Sequence, residues 1–108
     1  PYREPLTADA LGIDDPALAS WVEARMTPHP LATYNEPLPE DTAASAALPR
    51  LYIRCTEGPI AHLFQPVEDM VRDWGWPVET LASGHDAMLT APAELTGMLI
   101  EHANAVRA

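Results

Sequence analysis

The chain has 108 residues and a formal net charge of −10, with no Lys among its 6 basic residues. This length suits one small domain, and the 47% apolar content excludes an acidic disordered tail. The acidity argues against nucleic acid and anionic membranes as partners, since both need clustered cations, and a single Cys excludes an internal disulfide and a Cys-based zinc cage.

The N-terminal part of the chain is predicted to contain one helix and a long connection. Asp15 is a favourable N-cap because Pro16 follows it at the first helical position. Apolar residues at spacings of three and four then continue to Met26, where we expect the helix to end, because the prolines that follow cannot continue it. The stretch Pro28–Pro49 lacks periodicity and is predicted to be a connection with room for one short strand or helix.

The second half of the chain alternates strand and helix patterns. Arg50–Cys55 and Trp76–Leu81 are short β-rich runs, which predict two strands. Between them, apolar residues at helical spacing predict a helix over 65–74. A loop at 82–86 follows the second strand, and Pro92 opens a last amphipathic helix.

This order of elements predicts an α/β fold. Strands that alternate with helices pair in parallel through right-handed crossovers. Two strands are too few for a stable parallel sheet, which normally has more strands and helices on both faces. We therefore expect the two strands to be the edge of a larger sheet whose other strands lie outside this chain.

Two predicted loops leave the carboxyl ends of these strands, where open α/β sheets bind ligands. The first loop, 56–60, carries Glu57, and the second, 82–86, carries His85. A carboxylate beside an imidazole is the arrangement that orients a general base and stabilises its protonated form. On spacing alone, a surface or capping histidine is the more common alternative.

Four stretches of the sequence resemble the α/β-hydrolase superfamily, in particular the plant methylesterases and hydroxynitrile lyases with their bacterial relatives. Cys55–Glu57 follows a Tyr-Ile strand, and Gly84–Pro92 reads Gly-His-Asp-Ala-Met-Leu-Thr-Ala-Pro. Through these two stretches, residues 49–92 resemble the C-terminal part of the α/β-hydrolase fold. The earlier stretches Leu11–Ile13 and Thr27–Leu31 are similar to the lid of the same branch.

The resemblance implies an α/β-hydrolase fold, of which this chain is the C-terminal half. Residues 1–48 would form the lid or cap segment and its connection, and 49–108 the C-terminal part of the core. His85 matches the catalytic histidine of the family, with a preceding glycine that leaves room for the ring. Trp21 on the lid helix and Met88 beneath the site are expected to line the substrate pocket.

The family's catalytic histidine acts in a Ser–His–acid triad, and the expected acid partner of His85 departs from the family pattern. In the family an Asp directly follows the Cys-Thr-Glu-like segment, whereas here Gly58 follows Glu57 and the loop is one residue shorter. We favour Glu57 as the acid. The alternatives are a carboxylate from a strand outside this chain, or chemistry that does not need a full triad.

The nucleophile is expected to lie outside this chain. The family carries it on a Gly-x-Ser-x-Gly elbow, and none of Ser20, Ser45 and Ser83 lies in such a motif. The resemblance therefore implies a serine esterase for a small apolar ester, with Ser supplied by an absent N-terminal half. A lyase or cyclase of secondary metabolism, or a degenerate member without catalysis, stays open.

Other expectations concern partners and chemistry outside the triad. The four His residues lack metal-ligand spacing, so we expect neither metal nor cofactor. Cys55 is expected to be an inert core thiol. We expect a small-molecule substrate, a cytoplasmic location and no nucleic-acid or membrane partner, and a homodimer is left open. Abundant Ala, Pro and Arg without Lys are typical of a GC-rich bacterial genome.

Overall fold

The computed structural model describes residues 1–40 and 42–108, whose helices and small sheets form a mixed α/β architecture. The strands are β1 (Tyr2–Arg3), β2 (His29–Pro30), β3 (Tyr52–Cys55) and β4 (Val78–Leu81). The helices are α1 (Pro16–Glu23), α2 (Ala32–Asn35), α3 (Ala43–Ala46), α4 (Gln65–Asp73), α5 (Ala87–Thr90) and α6 (Pro92–Arg107), and a 3₁₀ turn at Ala61–Phe64 precedes α4. None of these helices is long and apolar enough to cross a membrane.

Strands β3 and β4 pair in parallel, as their alternation with helices predicts. Tyr52 pairs with Val78 at one end and Cys55 with Leu81 at the other, so both strands end together. Each strand starts two residues later than predicted. Helix α4 joins them by a crossover, and within the described residues neither strand has a second neighbour.

The two faces of this sheet are covered by different helices. On one face the Arg54 guanidinium bonds to the Glu68 carboxylate of α4 at 3.0 Å. On the other face, buried and half-buried apolar residues of both strands pack against α5 and α6. This cluster comprises Leu81, Ala87, Ala91, Ile53, Cys55, Leu95 and Met98.

Helix α1 begins as its sequence predicts. The Leu18 N–H donates to the Asp15 carboxylate at 2.7 Å, and Pro16 occupies the first helical position. The helix ends at Glu23, three residues before the predicted end at Met26. The chain tightens there, because the Arg25 N–H donates to the Val22 carbonyl three residues earlier.

The predicted connection after α1 contains more structure than expected. It holds β2, α2 and α3, and β1 pairs antiparallel with β2 through Tyr2 and Pro30. Asp41, which falls inside this connection, lies outside the described residues. These short elements have four residues or fewer, which is too short for a periodic apolar pattern.

A second apolar cluster ties the N-terminal segment to the second half of the chain. Its buried members are Ala8, Leu11, Ile13 and Val22. Ile60 and Leu89, which follow β3 and β4, pack against it. The N-terminal segment therefore lies across the loops that leave the carboxyl ends of the parallel strands.

Candidate active site

The loops that leave β3 and β4 run side by side at the carboxyl edge of the sheet. The Thr56 N–H donates to the Leu81 carbonyl at 3.0 Å, and the Glu57 N–H donates to the Ser83 carbonyl at 3.0 Å. This ladder continues the strand pairing beyond the strands themselves. It brings Glu57 and His85 to one edge of the sheet, on adjacent loops.

His85 is held through its backbone and one ring face. Its N–H donates to the Leu11 carbonyl at 3.0 Å. Its ring stacks on Phe64, with centroids 4.7 Å apart and an interplanar angle of 19°. The side chain is exposed, and no hydrogen bond or ion pair reaches either ring nitrogen from residues 1–40 or 42–108. Both nitrogens are therefore open to a proton donor or acceptor that approaches from outside.

The Glu57 side chain lies apart from the His85 ring. Glu57 lines a pocket of about 310 Å³ at the strand ends, which we call the acidic pocket. Within the described part of the chain, no hydrogen bond or ion pair joins its carboxylate to His85. The structure thus brings the two loops together without forming the predicted carboxylate–imidazole contact.

The acidic pocket contains three carboxylates and two hydroxyl groups. Its lining residues are Gly12, Ile13, Asp14, Asp15, Leu18, Glu57, Ala82, Ser83, Gly84, Leu89 and Thr90. One carboxylate oxygen of Asp15 is committed to the cap of α1. Such a lining disfavours an anionic ligand, because three like charges would repel it. Among the described residues, no group of three or more His, Cys, Asp or Glu side chains is placed to hold a metal ion.

A second pocket, of about 200 Å³, lies on the other side of His85. We call it the strand-edge pocket, and it is lined by Tyr52, Ile53, Cys55, Phe64 and His85. Burial raises the pKa of the Cys55 thiol, and a neighbouring carboxylate raises it further. Burial likewise raises the pKa of Tyr52. Both groups are protonated at neutral pH, so this pocket presents neutral and aromatic surface to a ligand.

The two residues expected to line a substrate pocket are both exposed. Trp21 is 50% exposed, and the Arg25 guanidinium stacks on its ring with 4.1 Å between the guanidinium carbon and the ring centroid. Met88 is 60% exposed. Neither residue lines the acidic pocket or the strand-edge pocket.

The serines in the described residues lie outside an elbow of the nucleophile type. Ser83 is buried, its hydroxyl lies 2.5 Å from that of Thr90, and it donates to the Gly84 carbonyl at 3.2 Å. Ser20 is exposed on α1, and Ser45 bonds to Thr42, the N-cap of its own short helix. None of the three contacts the His85 ring.

Two partners of His85 are absent from the sequence predictions. The sequence analysis assigns no role to the Phe64 ring, and the Leu11 carbonyl carries no side-chain signal. The carbonyls of Leu11 and Gly12 lie directly beside Gly84, where a Cβ atom would meet them. Gly58 beside Glu57, Gly84 beside His85, and Gly12 in the N-terminal segment are the one signal that could have indicated close backbone contact.

No protein-family model, curated protein or solved structure matches this chain. A functional proposal therefore depends on the geometry of the two strand-end loops and on the resemblance of residues 49–92. Of these, the geometry supplies the argument about chemistry, and the resemblance supplies the reaction class.

Proposed function

We propose that this chain forms the lid and C-terminal part of an α/β-hydrolase-type esterase that cleaves a small, apolar ester by Ser–His–acid chemistry. The observation that carries the proposal is the joined pair of strand-end loops, in which the Glu57 N–H bonds to the loop of His85 at 3.0 Å. A carboxylate and an imidazole at the carboxyl edge of a parallel pair are suited to general base catalysis.

In this proposal the serine nucleophile and the oxyanion donors come from residues outside this chain. The open edges of β3 and β4 support this division, because parallel sheets rarely consist of two strands. A further strand beside β3 would bring an elbow serine to the same carboxyl edge. Residues 1–48 would then act as the lid segment and 49–108 as part of the core.

His85 takes the catalytic proton in the proposed reaction. It accepts the proton of the serine hydroxyl as the oxygen attacks the ester carbonyl, and it returns that proton to the departing alcohol. The stack on Phe64 fixes the plane of the ring and leaves both nitrogens accessible. Glu57 would orient the imidazolium after a side-chain rotation toward the ring, and an outside carboxylate is the alternative.

The chemistry around His85 supports a neutral substrate. The strand-edge pocket offers aromatic and protonated groups, and the acidic pocket repels anions. The net charge of −10 also disfavours an anionic substrate. A small apolar ester meets these conditions better than a phosphate or a free carboxylic acid.

The test is ester turnover by the full-length protein that contains this chain. We expect His85→Ala to lower kcat/KM for a p-nitrophenyl ester by at least about a hundredfold, because a general base contributes this much. The unfolding midpoint should stay unchanged, since the ring is exposed. The matched control is His62→Ala, which removes another exposed imidazole near the first strand-end loop. Unchanged turnover in His85→Ala contradicts the proposal.

A second candidate is a member of the same class that does not hydrolyse esters, either a lyase or cyclase or a non-catalytic binding protein. The observation that favours it is the missing bond between His85 and any carboxylate of the described residues. A fluorophosphonate probe separates the two candidates. Labelling that depends on His85 supports the esterase, and absence of labelling in a folded protein supports the second candidate.

A further inference from the structure

Three glycines bring three separate backbone segments into direct contact beside His85. Gly12 belongs to the N-terminal segment, Gly58 to the loop after β3, and Gly84 to the loop after β4. A Cβ atom built on Gly84 would lie 2.7 Å from the Gly12 carbonyl oxygen and 2.8 Å from the Leu11 oxygen. A Cβ atom on Gly12 would lie 2.9 Å from the Gly84 Cα. No side chain larger than hydrogen fits at either position unless the segments move apart.

This contact places the Leu11 carbonyl where His85 needs a partner. The His85 N–H donates to it at 3.0 Å. The carbonyl is itself well anchored, because the side chains of Leu11 and Ile13 are 5% and 3% exposed in the cluster that contains Val22. The backbone of His85 is therefore bonded to Leu11, a member of a buried apolar cluster that lies 74 residues earlier in the sequence.

We infer that the Leu11–Gly12 backbone is a positioning element for His85, and this inference rests on the proposed catalytic role of that residue. The Leu11 carbonyl fixes the His85 N–H, which sets the direction in which the side chain leaves the backbone. The imidazole then lies stacked against the Phe64 ring. Gly12 and Gly84 are positioning residues because they allow the two backbones to approach this closely.

The experiment compares glycine variants in the full-length protein. Gly84→Ala and Gly12→Ala introduce the clashes described above. Gly97→Ala, on α6, adds a methyl group with nothing within 4 Å. Gly75 is the matched control for Gly12, because its φ of +77° is nearly equal to the +78° of Gly12 and its Cβ would also meet nothing within 4 Å. Both alanines suffer the same backbone strain, so a difference between them reports the contact alone.

Two readouts follow the position of the ring rather than general stability. The first readout is NMR spectroscopy of His85. It reports the chemical shift of the ring protons, which the stacked Phe64 ring moves upfield, and the hydrogen exchange of the backbone amide. The second is turnover of a p-nitrophenyl ester, separated into kcat and KM. We expect Gly84→Ala and Gly12→Ala to lose the upfield shift and the amide protection, and to lower kcat by roughly a hundredfold at similar KM. Gly75→Ala and Gly97→Ala should keep all of these values.

A folded Gly84→Ala protein with wild-type ring shifts and amide protection overturns the inference. If Gly84→Ala does not fold, Gly58→Ala takes its place, because its Cβ would meet the Gly12 Cα at a milder 3.2 Å. Unchanged ring shifts in Gly58→Ala then overturn it equally. If the ring shifts change as expected while His85→Ala leaves turnover intact, the positioning contact stands and the proposed esterase function fails.

Discussion

Glu68 is a buried carboxylate that joins strand β3 to helix α4. It accepts hydrogen bonds from the Arg72 Nε at 2.9 Å and from the Arg54 Nη1 at 3.0 Å. The Arg54 side chain is held further by the Gln65 amide oxygen and the Ala61 carbonyl. The hydrogen bonds from Arg72 and then from Arg54 hold the pKa of Glu68 below its ordinary value of 4.5.

We expect Glu68 to contribute a pH-dependent part of the stability. A carboxyl whose pKa is lower in the folded state stabilises fully above its unfolded pKa, and this contribution is lost as pH falls through the folded pKa. Glu68→Gln should therefore lower the urea midpoint at neutral pH. The difference from wild type should shrink below pH 4.5, because the wild-type carboxyl also becomes protonated there. Urea titrations across this range measure the effect.

Asp69→Asn is the control for this prediction. Asp69 lies on the same helix, is exposed, and accepts a bond from the Gln65 amide at 3.0 Å. Its substitution should change the urea midpoint little at any pH, since surface changes of this kind are usually within about 0.5 kcal/mol. An equal fall in the urea midpoint for Asp69→Asn and Glu68→Gln would show that the bonds of Glu68 to Arg54 and Arg72 do not contribute more to stability than a surface contact does.

Cys55 offers a second residue-scale prediction. Burial and the Asp86 carboxylate raise its pKa above the ordinary 9.0, so little thiolate exists at neutral pH and labelling by a thiol reagent should be slow. Asp86→Asn should accelerate the labelling severalfold, because it removes a negative charge that disfavours the thiolate. Glu94→Gln removes the same charge from α6 and should leave the rate unchanged. Equal rates for both variants would contradict the proposed influence of Asp86.

At the scale of elements, helix α1 depends on its cap. The Asp15 carboxylate accepts the Leu18 N–H at 2.7 Å, which satisfies one free donor of the first turn. Asp15→Ala should cost about 1 kcal/mol in the free energy of unfolding, and Asp15→Asn should recover most of it. Asp14→Ala is the control, because this exposed neighbour lies outside the cap. Chemical denaturation measures all three, and an equal cost for Asp14→Ala would argue against the cap.

Elements with strong local signals could be predicted, and those that depend on distant contacts could not. The Asp15–Pro16 start and the Pro92 start of α6 each combine a terminal residue with an apolar period, and the structure confirms both. The pair β1–β2 has two residues per strand, and its exposed side chains leave no alternating pattern in the sequence. Its formation depends on the return of the chain after α1, which no local pattern encodes.

In the candidate site, too, the features set by local sequence pattern could be predicted and those set by distant contacts could not. Parallel pairing of β3 and β4 predicts that Glu57 and His85 lie on adjacent loops, and the loop contact at 3.0 Å agrees. The absence of a bond between the Glu57 carboxylate and His85 within the described residues depends on packing and was not predictable. The Leu11 carbonyl was also beyond prediction, because every residue carries the same backbone oxygen.

For the whole molecule, the main feature is how little of its apolar surface is covered. No large side chain among residues 1–40 and 42–108 is fully buried. Leu95 of α6 packs against the cluster around Leu81, and Leu99 follows it one turn later on the same side of the helix. Leu99 is nevertheless 52% exposed. The apolar face of α6 thus extends past the elements that cover it, as the proposed additional core requires.

This exposure predicts that the effect of one substitution depends on the length of protein tested. In the 108-residue chain alone, Leu99→Ala should change the free energy of unfolding by less than about 0.5 kcal/mol, whereas Leu81→Ala should cost about 2–3 kcal/mol because Leu81 is buried. In the full-length protein, Leu99→Ala should also become costly, at above about 1 kcal/mol, since the proposed core would bury it. Denaturation of both variants in both proteins measures the difference. An equally small cost in the two proteins would mean that no further part of the protein covers this face of α6, and the proposed division of the fold would lose its support.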